Sequence, residues 1–441
     1  MPRNLSQITF WILSIVIAIF QLYYLISLRA VLPYADDWEA LDGLFNARER
    51  GQLAQWAFTP KGGHFAVPGR LAYWVSFKLF SLNLAPIRLI HFPLGLVAVA
   101  LTCYVIQSEI SRSFPRAYLG LGASFLIFSL GRWEHFAVAG DVSVTLSVLS
   151  GATGMYYIIQ ATDGTSVDYK RLLFGLGFLL AAILSFGVGY LVVTATIAVI
   201  VLEAARRRLN WHRSLYQNLT VCVISAFLVL AALAYPAFPF YGTLLRLVGR
   251  SILVMGSIGA PQFDYKLARL DAAYCFGIII FLCAIWSILD FLKRRQHSSK
   301  LLPFSIGLVL LGMCGCAAVT LARVDLPDEQ FLASRYTLYP SISLLGLLLY
   351  CGIGRMYMLA HIWCLAAACY LFATIKEART APFRVKAHQS MEVAIRNADN
   401  LTDDQLGKVL FARKDMAQVR RVIAILKAER LTIFRDQPRV E

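Results

Sequence analysis

The chain has 441 residues, of which 58% are hydrophobic and only 15% charged, and its mean hydropathy is +0.62. Soluble domains average about 25% charged residues, so this composition excludes a soluble enzyme, a disordered chain and a collagen-like fibre, and leaves a polytopic membrane protein. The net charge of +16 does not mark a nucleic-acid partner, because the basic residues fall largely in short clusters between apolar runs, the pattern that orients a membrane protein.

A spanning helix needs about 20 mostly apolar residues. The first such run, 8–28, is too long for a signal-peptide core and has no convincing small-residue cleavage site, so an anchor is expected there. Further runs follow at 86–107, 117–131, 142–161, 172–187, 189–204, 217–238, 271–292, 301–322, 337–353 and 356–375. The pair between 172 and 204 must turn in a very short space, which Gly187 and Gly189 permit. Backbone groups in lipid must pair internally. The expected fold is therefore all-α, a polytopic transmembrane helix bundle of about eleven spans over 1–375, with a small soluble helical tail over 376–441.

Orientation follows from the basic clusters. Arg112 and Arg116, Lys170 and Arg171, Arg206-Arg207-Arg208 with Arg213, and Lys293-Arg294-Arg295 fall on one common side, which the positive-inside rule makes cytoplasmic. Segments 31–85, 132–141, 239–270 and 323–336 are then outside, as is the tail from 376. Trp74, Trp133, Tyr235, Tyr274 and Tyr336 lie near the outer boundaries, as an aromatic belt would. The nine cysteines all sit inside apolar runs and read as small packing residues. Cys314-Gly-Cys316 is too close for a usual zinc pair and has no nearby histidine. In the tail, Thr402-Asp-Asp-Gln405 reads as a capping box. Leu406, Val409 and Leu410, then Val419, Val422, Ile423 and Leu426, repeat a helical apolar face, so a hairpin packed on the membrane domain is expected.

The unusual polar residues crowd the outer segments. Tyr34-Ala-Asp36-Asp37-Trp38-Glu39 follows the first span. Adjacent carboxylates repel each other there and cost free energy if desolvated. They suit a solvated loop, or a helix cap by Asp36 ahead of Trp38, Leu41 and Leu44. A carboxylate beside apolar walls also suits a general base. Lys61-Gly-Gly-His64-Phe-Ala-Val-Pro68-Gly-Arg70 offers cationic donors and backbone access, or merely a loop before a juxtamembrane helix with Arg70 at lipid headgroups. Gly131-Arg-Trp133-Glu134-His135 places a Glu-His pair at the outer end of an apolar helix, with Asp141 opening the next span. Finally, Arg323-Val-Asp325 leads through an acidic loop to Ser334-Arg335-Tyr336. Arginine grips a phosphate in two places and tyrosine adds a donor, while headgroup snorkelling is the plainer role for Arg335. The inner loops hold mainly Lys and Arg. The asymmetry points to a site at the outer boundary for a ligand whose phosphate is anchored in lipid.

In order, these features resemble the GT-C superfamily of integral-membrane glycosyltransferases, which use polyprenyl-phosphate sugars. Asp36-Asp37 matches the acidic motif of that family's first outer loop, and His64 to Arg70 its His/Arg juxtamembrane segment. Trp133-Glu134 resembles a pair after the third span of many bacterial members, and Arg323 with Ser334-Arg335-Tyr336 an element before a late span. Lys408 to Phe411 and Arg430 to Phe434 are similar to the tails of bacterial members. The resemblance implies transfer of a sugar from a polyprenyl-phosphate donor to a glycan, lipid or protein acceptor, at the outer face of a bacterial inner membrane. Asp36 or Asp37 would be the base, with inversion at the anomeric carbon, and Arg335, Arg323 and Lys61 the phosphate clamp. His64, Arg70, Glu134 and Tyr336 join them as expected substrate-binding residues in one cavity. A single donor phosphate makes no cofactor obligatory, although the Asp pair would suit a divalent ion. A lipid-linked sugar flippase is the competing function. Transporters, however, concentrate ionisable residues near the midplane and show internal repeats. A structural or assembly subunit is the other alternative.

Overall fold

The computed structural model describes residues 3–28, 31–60, 64–109, 113–162, 167–207, 244–257, 266–294, 299, 301–323, 327–354, 356–410 and 415–435, and among them the structure is helical with no strand. The first half runs α1 (Arg3–Ser27), α2 (Asp37–Glu49), α3 (Leu53–Phe58), α4 (Val67–Phe80), α5 (Ala85–Leu89), α6 (His91–Glu109), α7 (Ser113–Ile127), α8 (Trp133–Ala137), α9 (Val142–Thr162), α10 (Tyr169–Ser185) and α11 (Val188–Arg207). There follow α12 (Leu244–Met255), α13 (Lys266–Lys293), α14 (Leu301–Ala322), α15 (Leu338–Ile353), α16 (Tyr357–Arg396), α17 (Asp403–Leu410) and α18 (Met416–Ala428).

Among the described residues, seven helical stretches are long and apolar enough to cross a membrane: Ile8–Ser27, Ala85–Ser108, Ala139–Thr162, Val188–Arg206, Arg269–Lys293, Leu301–Ala322 and Ser334–Ile353. This is the build of a multi-pass membrane protein. Of the other expected spans, 117–131 falls mostly on α7 and 172–187 on α10, helices of 15 and 17 residues. The run 356–375 forms the first part of α16, and 217–238 lies outside the described residues. On α1, Ile8, Ile12, Ile15, Ile19 and Ile26 are all exposed, an outward apolar face that suits lipid rather than water.

Small residues let the helices close on one another. A Cβ on Gly346 of α15 would lie 2.7 Å from the Ser305 carbonyl of α14, so those two backbones touch where no side chain intervenes. α15 is buried along almost its whole length, Leu348 and Tyr350 included, and forms the central stave of the bundle. At one end of the bundle Arg206 donates to the Arg294 carbonyl at 2.8 Å, Arg294 pairs with Asp290 at 2.6 Å, and the Tyr350 hydroxyl donates to Asp290 at 2.6 Å. Two of the expected basic clusters are thereby joined at the ends of α11, α13 and α15.

α16 has 40 residues, so at about 1.5 Å per residue it is roughly 60 Å long, about twice the hydrocarbon thickness. It runs through the expected boundary at 375–376 and carries the chain to the tail. There the capping box closes reciprocally: the Gln405 amide donates to Thr402 Oγ1 at 3.3 Å and the Thr402 amide to Gln405 Oε1 at 2.9 Å. Leu406, Leu410, Val419, Val422, Ile423 and Leu426 share one apolar core with Leu41, Leu44 and Phe45 of α2 and with Leu82 and Leu84. Arg421 bridges to Glu49 at 2.8 Å and Arg48 to Glu429. The tail therefore covers α2, on the face that carries segment 31–85.

Candidate functional site at the α2 face

The two aspartates that open α2 face opposite ways. Ala35 ahead of them has a φ of 50°, left-handed backbone that a non-glycine residue seldom adopts, in the tight turn that ends the loop. Asp36 occupies the N-cap position but its side chain caps nothing. Its carboxylate is 75% exposed and lies 3.6 Å from Arg335 Nη1. Asp37 turns inward to complete burial. Its Oδ2 accepts from Arg88 Nη2 at 2.9 Å and from the Tyr34 amide at 3.0 Å, and its Oδ1 from the Tyr73 hydroxyl and, at 3.0 Å, the Ala139 amide. Four donors occupy that carboxylate, so it anchors the loop, and Asp36 is the member of the pair with an open face.

The Ser334–Thr337 turn brings a second strand of chemistry to Asp36. The Glu134 amide donates to Ser334 Oγ at 3.1 Å, and the Arg335 amide points to Glu134 Oε2 at 3.4 Å. The guanidiniums of Arg323 and Arg335 lie 5.6 and 5.4 Å from the Tyr336 ring centre, a cation–π arrangement that holds both cations at the buried ring. Asp141 lies within electrostatic reach of Asp36 and Arg335. Asp36, Glu134, Arg323, Arg335 and Tyr336 thus form one cluster from three of the segments expected outside.

The other expected site residues have other surroundings. Arg70 is buried and donates to the carbonyls of Trp56 and Thr59, with its guanidinium 5.7 Å from the Trp56 ring centre. It fastens α3 to α4. The His64 ring packs edge-on to Phe186 at 4.4 Å, and Gly187 leaves room for its Cβ at the α10–α11 turn. Lys61 lies outside the described residues.

Beneath the cluster is an arrangement that the motif reading did not assemble. His135 Nδ1 is 3.2 Å from Asp141 Oδ2, and its Nε2 is 2.8 Å from Thr145 Oγ1. The same hydroxyl is 3.0 Å from Nδ1 of His91, whose ring centre is 5.0 Å from that of His135. Both rings are almost fully buried. His91, Thr145 and Arg132 are among the lining of a largely apolar cavity of about 210 Å³, with Leu94, Leu126, Val148 and Leu308 among its walls. Leu101 and Tyr104 also line it and are exposed, so it opens to the surface beside α6. His91 Nε2 and Arg132 Nε are buried with no hydrogen-bond partner among the described residues. Burial first, and the Arg132 charge second, push the His135 imidazole down to about 3, so the ring is neutral and carries a single N–H.

Arg88 and His91 were detectable in principle, since an ionisable residue inside the apolar run 86–107 is costly unless it is used. Among the described residues no three His, Cys, Asp or Glu side chains gather in a metal-holding group. Comparison with protein-family models, curated proteins and solved structures finds no match to this chain.

Proposed function

We propose that the protein is a membrane glycosyltransferase that moves a sugar from a polyprenyl-phosphate donor to a hydroxyl of a glycan, lipid or protein acceptor, at the outer face of a bacterial inner membrane. The observation that carries this reading is the Asp36–Arg335 pair: an exposed carboxylate 3.6 Å from a guanidinium, supplied by segments from opposite ends of the chain. A sugar on a lipid phosphate already has a good leaving group. What remains is a base for the acceptor hydroxyl and cations for the departing phosphate. Asp36 takes the first role, and attack from the face opposite the phosphate inverts the anomeric carbon. Arg335 takes the second, with Arg323 beside it and Lys61 as a further cation. The largely apolar cavity that His91 and Arg132 line supports a lipid-borne substrate. No obligatory metal belongs to this proposal, because one phosphate carries less charge than a nucleotide diphosphate.

Purified protein in detergent, incubated with short-chain polyprenyl-phosphate sugars, should release polyprenyl phosphate, and a chelator should leave the rate unchanged. Absence of release with every sugar tried, alongside movement of the intact donor across reconstituted vesicles, would replace the enzyme with a transporter.

A further inference from the structure

We infer that Asp141, His135, Thr145 and His91 form a proton path that joins the carboxylate cluster at the α2 face to the cavity that His91 lines. The distances of 3.2, 2.8 and 3.0 Å make three consecutive hydrogen bonds. Each middle group has both an acceptor and a donor site, as a proton path requires. The string also has two self-consistent polarities. With Asp141 ionised, His135 donates from Nδ1, the Thr145 hydroxyl donates to His135 Nε2, and His91 donates from Nδ1 to Thr145. His91, which borders the cavity, then has a bare lone pair at its buried Nε2. With Asp141 protonated, every bond reverses, and His91 presents an Nε2–H. In each of these two polarities the two histidines hold the same tautomer, and the Thr145 hydroxyl accepts from one ring and donates to the other.

The unpartnered end is what turns this string from packing into a path. His91 Nε2 is buried and partnerless among the described residues, which is costly unless a ligand oxygen meets it. With Asp141 ionised, the His91 Nε2 lone pair accepts a proton from an O–H of a ligand at the cavity, and the transfer balances from that polarity. The ligand O–H breaks and its proton goes to His91 Nε2, and His91 Nδ1–H passes its proton to the Thr145 oxygen. That hydroxyl gives its own proton to His135 Nε2, and His135 Nδ1–H delivers the last proton to Asp141. One proton crosses, each ring ends neutral, and the string is left in the reversed polarity with Asp141 protonated. The string rests on this geometry and not on the function proposed above. The charges facing it are Arg88 from α5, Arg132 ahead of α8, Asp37 from α2, and Asp36 and Arg335 beside Asp141.

The test is ¹⁵N NMR of histidine tautomers in the full-length protein in detergent, with single substitutions assigning His91 and His135. As pH is lowered through the protonation of Asp141, both rings should switch from the Nδ1–H to the Nε2–H form with one shared midpoint. In Thr145→Val the midpoints should separate or the His91 switch vanish, and in Thr145→Ser the coupling should return. Opposite tautomers in the wild type, or identical behaviour in wild type and Thr145→Val, would overturn the path.

Discussion

Asp37 and Arg88 meet at 2.9 Å with side-chain exposures of 0% and 4%. The carboxylate holds the loop after α1 to α5, and its bonds to Tyr73 and to the Ala139 amide extend the same anchor to α4 and the start of α9. One residue earlier, Asp36 stands in solvent beside Arg335. Adjacent and chemically identical, the two residues have different work, because the α2 N-terminus turns one into the protein and the other out.

This division predicts different losses. Asp37→Asn leaves the Arg88 charge buried without its counter-ion, and breaking a buried pair in that way costs about 3–5 kcal/mol. Asp36→Asn removes an exposed charge and should leave stability almost unchanged. Thermal unfolding of both variants in detergent checks this. Equal melting temperatures would remove the anchoring role from Asp37.

Stability should also depend on His135 through pH. The folded ring protonates near 3, the unfolded one near 6.5. Above about pH 6.5 both states are neutral and the native contribution is complete. As pH falls below that value the unfolded chain takes up a proton that the folded chain refuses. Stability therefore falls by about 1.4 kcal/mol per pH unit for this one group. His388, which burial holds down to about 4, adds its own slope in the same window. His135→Gln should make the wild-type slope shallower between pH 6.5 and 5 by the share of one proton. An unchanged slope would mean that the ring titrates normally.

The helical architecture and the tail were legible because they rest on local rules. Apolar runs longer than any soluble helix needs mark the spans, and Thr402 and Gln405 announce a helix start three residues apart. Arg335 and Glu134 were legible as polar residues in apolar company. Asp37 was not separable from Asp36, since only the backbone turn at Ala35 decides which of them faces inward. Arg70 reads as a substrate cation in the sequence, while in the fold its Nη1 is held by the Trp56 and Thr59 carbonyls, a tertiary fact no motif carries. The Asp141-to-His91 string joins residues on three elements, and its members are ordinary one at a time.

The tail should depend on its core far more than on its surface ion pairs. Leu426 is fully buried between α18 and α2, and truncating such a leucine to alanine typically costs about 2–5 kcal/mol. The partly exposed Arg48–Glu429 pair should contribute about 0.2–1 kcal/mol. Limited proteolysis reads out docking. Leu426→Ala should release the tail to protease well before Glu429→Ala does, and the reverse order would make the ion pairs the principal fastening.

The chemistry should separate at Asp36 and Arg335. Asp36→Asn keeps the size and one acceptor oxygen but cannot take the acceptor's proton, and loss of a general base typically costs about a hundred to ten-thousandfold in rate. Donor binding should survive, because the carboxylate contributes nothing favourable to an anionic phosphate. Arg335→Ala should instead weaken the lipid-phosphate donor and slow its departure, since a charge-assisted grip is lost. Arg335→Lys should recover only part, because a point charge lacks the planar fork and sits differently against the Tyr336 ring. Transfer rates and donor binding measured for these three variants, with Asp37→Asn compared at matched folded fraction, decide between the roles. A folded Asp37→Asn protein should retain transfer. Full activity in Asp36→Asn would pass the proton to Asp141 or Glu134, the other carboxylates within reach of Arg335, and full activity in Asp141→Asn and Glu134→Gln as well would take the carboxylates out of the reaction altogether.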